Sequence, residues 1–351
     1  MTNRLPRPEN VTKILYGVSP IGLGHATRSM AVVRELRKAG AEVRLFSGGK
    51  AAEFLNACGF EAADTVDDAG PKVVRGEMKG AASWYVRSWL AQRRNVKRAE
   101  ALFDGFRPDL VVCDEEFSGM AVAESRGARR VFVSDELELG FARSWLARAI
   151  ERRVERWYRR LQQSADPLII PDEGRDQGNR RYVGPIVRPS TAGCSEVRER
   201  HGLPPGRMVL LSLSGSGAGR ELVPKAVAAV SALEGGAFLA VAGNRGAPLA
   251  GERVYDLGVV PGNQDLVRCA DLVITMAGKS TIDEAAAAGT PVIAIPIRHH
   301  AEQERNASAL GFRPDDAERL VELVGQSIGK RGPPRTFRGE EEASRLILAL
   351  A

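Results

Sequence analysis

The sequence predicts an α/β protein in which two doubly wound parallel-sheet domains face a cleft, and three observations lead there. The chain has 351 residues, more than one ordinary core organises, and suits two domains of roughly 150–200 residues each. Strand-like apolar runs alternate with helical stretches in both halves, the pattern of a parallel sheet covered by helices on both faces. Glycine-rich or polar turns follow the strand ends, and open parallel sheets hold ligands beyond the carboxyl ends of their strands. Both halves are therefore read as Rossmann-like.

In chain order, the first half offers strands at Ile14 to Val18, Glu42 to Phe46, Leu110 to Cys113 and Val131 to Ser134, with a helix from about Ala26 to Ala39. The run Leu168-Ile169-Ile170 reads as the last strand of this unit, and the turn-rich segment DEGRDQGNRRYVGPIVRP as the linker after it. The second half repeats the pattern with Met208 to Ser212, Ala237 to Val241, Asp271 to Thr275 and Val292 to Ile295. The expected domains are residues 1–172 and 173–338.

The formal charge is +6, and residues 1–170 own all of it, with 28 Lys and Arg against 22 Asp and Glu. A basic half can meet an anionic surface or an acidic substrate. There is no zinc finger, aromatic–basic repeat or RNA-binding signature, so no nucleic-acid partner is expected. The four cysteines, Cys58, Cys113, Cys194 and Cys269, show no paired spacing and read as isolated small residues rather than a metal site or disulfide framework. No apolar run approaches the roughly 20 residues that span a bilayer, and the start MTNRLPRPEN lacks the apolar centre of a signal peptide. The expected location is the cytoplasm.

The loop SPIGLGHATRS follows the first strand. A nicotinamide-binding turn has the form G-x-G-x-x-G, but here Thr27 takes the third position, and the second strand runs into Ser47-Gly48-Gly49-Lys50 without the carboxylate that binds ribose. What remains is His25 at the tip of a turn, where Gly22 and Gly24 leave room for a bulky ligand. An imidazole there can take a proton from an attacking hydroxyl, or merely cap the helix. A carboxylate at a strand end, Asp114, is placed to orient it; Asp114, Glu115 and Glu116 equally read as a solvated acidic turn.

Three stretches of the second half suit a nucleotide sugar. Ser214, Gly215, Ser216 and Gly217 form a small-residue turn that exposes amides to a phosphate. In ADLVITMAGKSTIDEA, Gly278 turns the chain, and Lys279, Ser280 and Thr281 sit at a helix start whose free amides and dipole favour a diphosphate. Glu284 lies one helical turn on, where it can accept from ribose hydroxyls. An ordinary helix capped by a Ser280–Asp283 box is the alternative. Glu302 and Gln303 follow the next strand and suit sugar hydroxyls, although a solvated helix face has the same composition.

Together these motifs resemble the GT-B glycosyltransferases, most closely the MurG-like family, and related archaeal and bacterial proteins with a GLGHATR start. ADLVITMAGKSTIDEAAAAGTPVIAIP followed by EQERNA carries the resemblance in the second half. It implies a UDP-sugar donor as co-substrate, with no further cofactor and no metal. By the same resemblance, Gly22, Gly24, His25 and Arg28 form the acceptor-side loop, and Ser214 to Gly217 and Gly278, Ser280 and Thr281 hold the diphosphate. Lys279 adds a charge that serves the diphosphate or points to solvent, Glu284 holds the ribose, Arg188, Val259 and Val260 meet the base, and Glu302 and Gln303 read the donor sugar. The last helix, about 339–351, is implied to cross back onto the first half.

The resulting expectation is an inverting, metal-independent transfer of a sugar such as N-acetylglucosamine from UDP to a hydroxyl acceptor, with His25 as base and Asp114 orienting it. A nucleotide-sugar hydrolase or epimerase, and a non-enzymatic nucleotide-sugar-binding regulatory protein, share the same features. Between Ala142 and Leu161, one helical stripe carries Leu146, Ile150, Val154, Trp157 and Leu161 beside seven arginines. That pattern suits peripheral contact with an anionic membrane and a lipid-linked acceptor, or a core stripe beneath a solvated arginine face.

Overall fold

A computed structural model describes residues 11–67, 72–74, 77–135, 145–190, 192–213 and 219–350. The first half runs β1 (Lys13–Val18), α1 (Gly24–Lys38), β2 (Glu42–Ser47), α2 (Gly49–Ala57), β3 (Ala62–Asp64), the antiparallel pair β4 (Lys72–Val74) and β5 (Glu77–Lys79), α3 (Ala81–Phe106), β6 (Leu110–Asp114), α4 (Phe117–Ser125), β7 (Arg129–Val133), α5 (Trp145–Ser164), β8 (Leu168–Ile170) and β9 (Arg180–Tyr182). The second runs α6 (Cys194–Arg200), β10 (Met208–Ser212), α7 (Leu222–Ser231), β11 (Phe238–Ala242), β12 (Val254–Gly258), α8 (Asn263–Cys269), β13 (Leu272–Thr275), α9 (Lys279–Ala288), β14 (Val292–Ala294) and α10 (Ala301–Ala309). A 3₁₀ turn (Pro314–Arg319), α11 (Leu320–Ser327) and α12 (Gly339–Leu348) complete the chain.

Two all-parallel sheets result, a seven-stranded one of order β3-β2-β1-β6-β7-β8-β9 and a five-stranded one of order β12-β11-β10-β13-β14. Strands covered on both faces read as near-continuous apolar runs, and β6, β8, β10, β11 and β13 are buried along their whole length. Both sheets reverse their strand order between neighbours, β1 against β6 and β10 against β13, and ligands sit at such switch points.

Two expectations are corrected. The segment read as linker contains β9, which pairs with β8, so the first sheet continues past Asp172 to Tyr182. Its residues, Arg180-Arg181-Tyr182, form a half-buried edge strand without an apolar run, which is why pattern alone passed over it. The cysteines are not all isolated: Cys194, which opens α6, and Cys269, which closes α8, form a disulfide across 75 residues of sequence. Cys58 and Cys113 remain free.

The chain returns to its first half through α12. Ala343 and Ile347 are fully buried in one cluster with Met30, Val33 and Leu36 of α1. A Cβ on Gly339 would lie 2.5 Å from the carbonyl oxygens of Gly184 and Pro185, so glycine alone fits where α12 starts across the connecting segment. No helix among the described residues is long and apolar enough to cross a membrane.

Because Ile347 is wholly buried at this seam, Ile347→Ala is expected to destabilise the chain by about 2–5 kcal/mol, read as a lower denaturation midpoint. An unchanged midpoint would mean that α12 does not brace the first half.

Candidate active site

The carboxyl ends of both sheets open on one cleft of about 1800 Å³. Every described residue expected to act or bind at the site lines it, except Asp114, which stands behind His25. Ser214, Gly215, Ser216 and Gly217 lie outside the described residues.

His25 is not on a free loop tip. The turn at Gly22, which takes φ +75°, leads into α1, and His25 occupies that helix's first turn. The start of α1 meets the start of α9: Ser280 Oγ donates to the Gly24 carbonyl at 3.5 Å, and a Cβ on Gly24 would sit 3.4 Å from that hydroxyl. The loops at the starts of α1 and α9 therefore touch beside the imidazole.

Behind His25, the buried Asp114 ends β6. Its Oδ1 lies 2.9 Å from His25 Nδ1 and accepts from Arg28 Nη2 at 2.5 Å, while Oδ2 accepts from Arg28 Nε at 2.7 Å and Ser29 Oγ at 2.9 Å. Burial would raise this carboxyl, but Arg28 first and His25 second hold it well below the usual carboxylate range. Arg28 also donates to Asp135 Oδ1 at 2.5 Å, beyond the end of β7. Arg28 Nη2 also approaches His25 Nδ1 to 3.0 Å, but the ionised Asp114 can only accept, so its contact requires the proton on Nδ1 of the imidazole. That leaves Nε2 for the cleft.

The three consecutive carboxylates are not a solvated turn; Asp114, Glu115 and Glu116 are 0%, 8% and 2% exposed. Glu116 caps α4, accepting from the amides of Ser118 at 2.8 Å and Gly119 at 2.7 Å. Glu115 accepts through Oε1 from Ser134 Oγ at 3.1 Å and the Asp135 amide at 3.2 Å, and its Oε2 lies 3.6 Å from His25 Nε2. Burial and Arg28 lower the imidazolium's pKa, but Glu115 and Asp114 outweigh them, and His25 is raised from 6.5 to about 9.

Across the cleft, Gly278 precedes α9 with no side-chain cap bond, so the Ser280–Asp283 capping box does not form. Asp283 instead binds Lys279 Nζ through both oxygens at 2.9 Å, and Lys279 also reaches Asp172 at 3.5 Å. Its charge is thus shared with carboxylates instead of standing free for a diphosphate. The turn is shaped by Ala277, a non-glycine residue at φ +58° whose carbonyl accepts from Asn306 Nδ2 at 3.0 Å. The first amides of α9 have no partner within the helix, and its dipole adds positive potential.

Glu284 is buried against Arg188, whose Nε and Nη2 lie 3.0 and 2.9 Å from Oε1, and Arg188 Nη1 donates to the Pro261 carbonyl at 2.7 Å. This pair joins the connecting segment to α9 and, through Pro261, to the turn that follows Val259 and Val260. Gln303 lines the cleft, and its Oε1 accepts from the Ile297 amide at 3.0 Å. Burial raises Glu302 to about 7, and Asp135 and Glu115 in the first half add to the rise.

The basic stripe divides. Leu161 is buried, Ile150 and Val154 pack on Trp84 and Tyr85, and Trp157 and Trp145 are 38% and 80% exposed; the side chain of Leu146 lies outside the described residues. Trp84, Trp157 and Phe54 wall the cleft beyond His25. Trp157 reads in the sequence as part of a helical stripe and not as a cleft wall, and sequence reasoning missed Phe54, Ser29, Asp135 and Asn306. The usable signal for Asp135 was its place just past a strand end.

Two measurements follow. Since His25 is raised in the folded chain, its contribution to stability is full below 6.5 and lost as pH rises through about 9; wild type should lose stability relative to His25→Gln across that window in denaturant titrations. Arg188→Met should cost about 3–5 kcal/mol, because it leaves the Glu284 carboxylate buried without its partner; a loss under about 1 kcal/mol would be the value of an exposed pair instead.

Residues 12–136 match the family described as Glycosyl transferase family 1, and residues 252–317 match the Glycosyltransferase family 28 C-terminal domain. An uncharacterized glycosyltransferase of Methanosarcina acetivorans is 25% identical over 320 residues, covering 85% of this chain and 83% of the relative. The UDP-N-acetylglucosamine–N-acetylmuramyl-(pentapeptide) pyrophosphoryl-undecaprenol N-acetylglucosamine transferase of a Nocardioides species is 32% identical over 283 residues, 74% of this chain and 72% of that protein. Among solved structures, the glycosyltransferase of kitacinnamycin superposes with a TM-score of 0.64 at 18% identity, over 97% of this chain and 99% of that one. A Streptomyces glycosyltransferase complexed with thymidine diphosphate gives 0.59 at 16%, over 96% of each. Two parallel-sheet domains around one cleft and this kinship agree: the chain belongs to the MurG-like family of GT-B glycosyltransferases.

Proposed function

We propose that this glycosyltransferase moves a sugar, N-acetylglucosamine or a related hexose, from UDP to a hydroxyl acceptor with inversion at the anomeric carbon and without a metal ion. The observation that carries the reading is the His25–Asp114 pair at 2.9 Å, opening on the cleft beside the start of α9. Asp114 fixes the Nδ1 proton, Nε2 takes the acceptor's proton, and the acceptor oxygen bonds to the anomeric carbon as the bond to the diphosphate breaks. The charge on the departing UDP is met by the amides and dipole at Gly278 to Thr281. The Nocardioides relative is named for a UDP-linked donor, which supports UDP here.

For the acceptor, the apolar wall at Trp84, Trp157 and Phe54 favours an amphiphile over a small polar sugar. The exposed Trp89, Leu90 and Trp145, at 63%, 53% and 80%, sit among the arginines of α3 and α5, and Arg93 stacks over Trp89. That surface suits an anionic bilayer presenting a lipid-linked acceptor at the inner face of the cell membrane.

His25→Ala is expected to lose turnover by about 10²–10⁴-fold while binding UDP as wild type does, measured by product formation and calorimetry. Retained turnover would remove His25 as base, and a regulatory binding protein would show no turnover in either form. Incubation with UDP-sugar alone should give little reaction; rapid turnover without acceptor would identify a hydrolase or epimerase. Trp89→Ser with Trp145→Ser should weaken sedimentation with anionic phosphatidylglycerol vesicles and leave neutral vesicles unbound throughout; equal sedimentation of both proteins would count against the membrane surface.

A further inference from the structure

Asp114 accounts for one ring nitrogen of His25; the other also faces a carboxylate. Glu115 Oε2 lies 3.6 Å from Nε2, with side chains 8% and 17% exposed. The Glu115 backbone takes φ +46°, a strained conformation for a residue with a Cβ that gathers at functional sites. Anchoring Ser134 and Asp135 is done by Oε1 alone. The second oxygen is the one nearer the imidazole, and the Tyr158 hydroxyl also hydrogen-bonds this carboxyl.

An imidazole bracketed by two carboxylates favours the doubly protonated ring, and a doubly protonated ring cannot act as a base. We propose that Glu115 is a positioning residue that keeps His25 Nε2 protonated in the empty cleft and takes that proton when the acceptor hydroxyl arrives. This rests on the reading of His25 as base. The Nε2–H bond breaks, its proton forms an O–H bond on Glu115 Oε2, and the ring becomes neutral. The acceptor O–H proton then passes to Nε2 as the new bond to the anomeric carbon forms and the diphosphate leaves with its bonding pair. Burial raises Glu115, which suits it to hold a proton, and His25 stands at about 9. The groups that face the pair are Arg28 on α1, Asp114 at the end of β6, Asp135 beyond β7, Tyr158 on α5 and Glu302 on α10. Of these, Arg28 is the cation, and it is already bound to Asp114 and Asp135.

The test is an NMR titration of the histidine rings in the unliganded full chain, which has four histidines, with His25 assigned from His25→Gln. Glu115→Gln keeps an oxygen for Ser134 and Asp135 but removes the charge, so His25 should titrate lower by about 1–3 pH units, and the acid limb of kcat/KM should move down with it. Glu115→Asp, which keeps the charge, should hold the titration nearer the wild-type value and serves if the Gln variant does not fold. An unmoved titration in Glu115→Gln, or a fall in Glu115→Asp as large as complete charge removal gives, would overturn the proposal. If His25→Ala stays active, the base reading has failed; if it is inactive and the Glu115→Gln titration is unmoved, only the role of Glu115 has failed.

Discussion

A carboxylate at the end of a central strand, fully removed from water, sets the terms for the first half. An uncompensated charge at Asp114 would cost several kcal/mol, so its oxygens must be matched, and the matching groups all come from the first turns of α1: His25, Arg28 and Ser29. Satisfying Asp114 therefore fixes how α1 leaves β1, and the Ser19 amide adds to the clamp by donating to the Asp114 carbonyl at 2.8 Å. Because His25 is one of the matching groups, the demand that stabilises the fold also decides which nitrogen of the ring looks into the cleft. Structure and chemistry share one set of hydrogen bonds here.

The second half repeats the device with the opposite geometry. Its buried ion pair, Arg188 with Glu284, ties the segment connecting the two halves to the helix whose start faces His25. The disulfide between Cys194 and Cys269 secures the same region from behind, where Arg268 also donates to Ser190 at 2.8 Å. The start of α9 is thus held from the connecting segment, from Asn306 on α10 and from Gly24 across the cleft. Preorganised donors of this kind meet developing charge without having to reorient.

Much of this was legible in the sequence, and the reason is burial. Central strands such as β6, β10 and β13 are covered on both faces and so announce themselves as apolar runs. Of the four edge strands of the parallel sheets, β3, β9 and β12 are partly open to solvent, mix polar with apolar residues and left no such trace, whereas the more buried β14 did. His25 and Asp114 lie 89 residues apart, yet could be paired on paper because both follow strands that end at the same side of the sheet. Glu115 and Glu116 could not be assigned that way, since three acidic residues in a row look like a solvated turn until Ser134, the Asp135 amide and the start of α4 are folded around them. The pairing of Lys279 went unread for a related reason: its partner Asp283 is one turn along the same helix, and it competes with any diphosphate for the charge. The disulfide depends wholly on α6 packing against α8, which no spacing of cysteines reveals.

The most direct examination is a crystal structure of the chain with UDP bound. The diphosphate should lie on the amides from Gly278 to Thr281, with the ribose at Glu284 and the open side of the diphosphate toward His25 Nε2. A diphosphate seated on the Gly22 to Gly24 turn, or a uracil far from Val259 and Val260, would contradict the assignment of donor and acceptor sides.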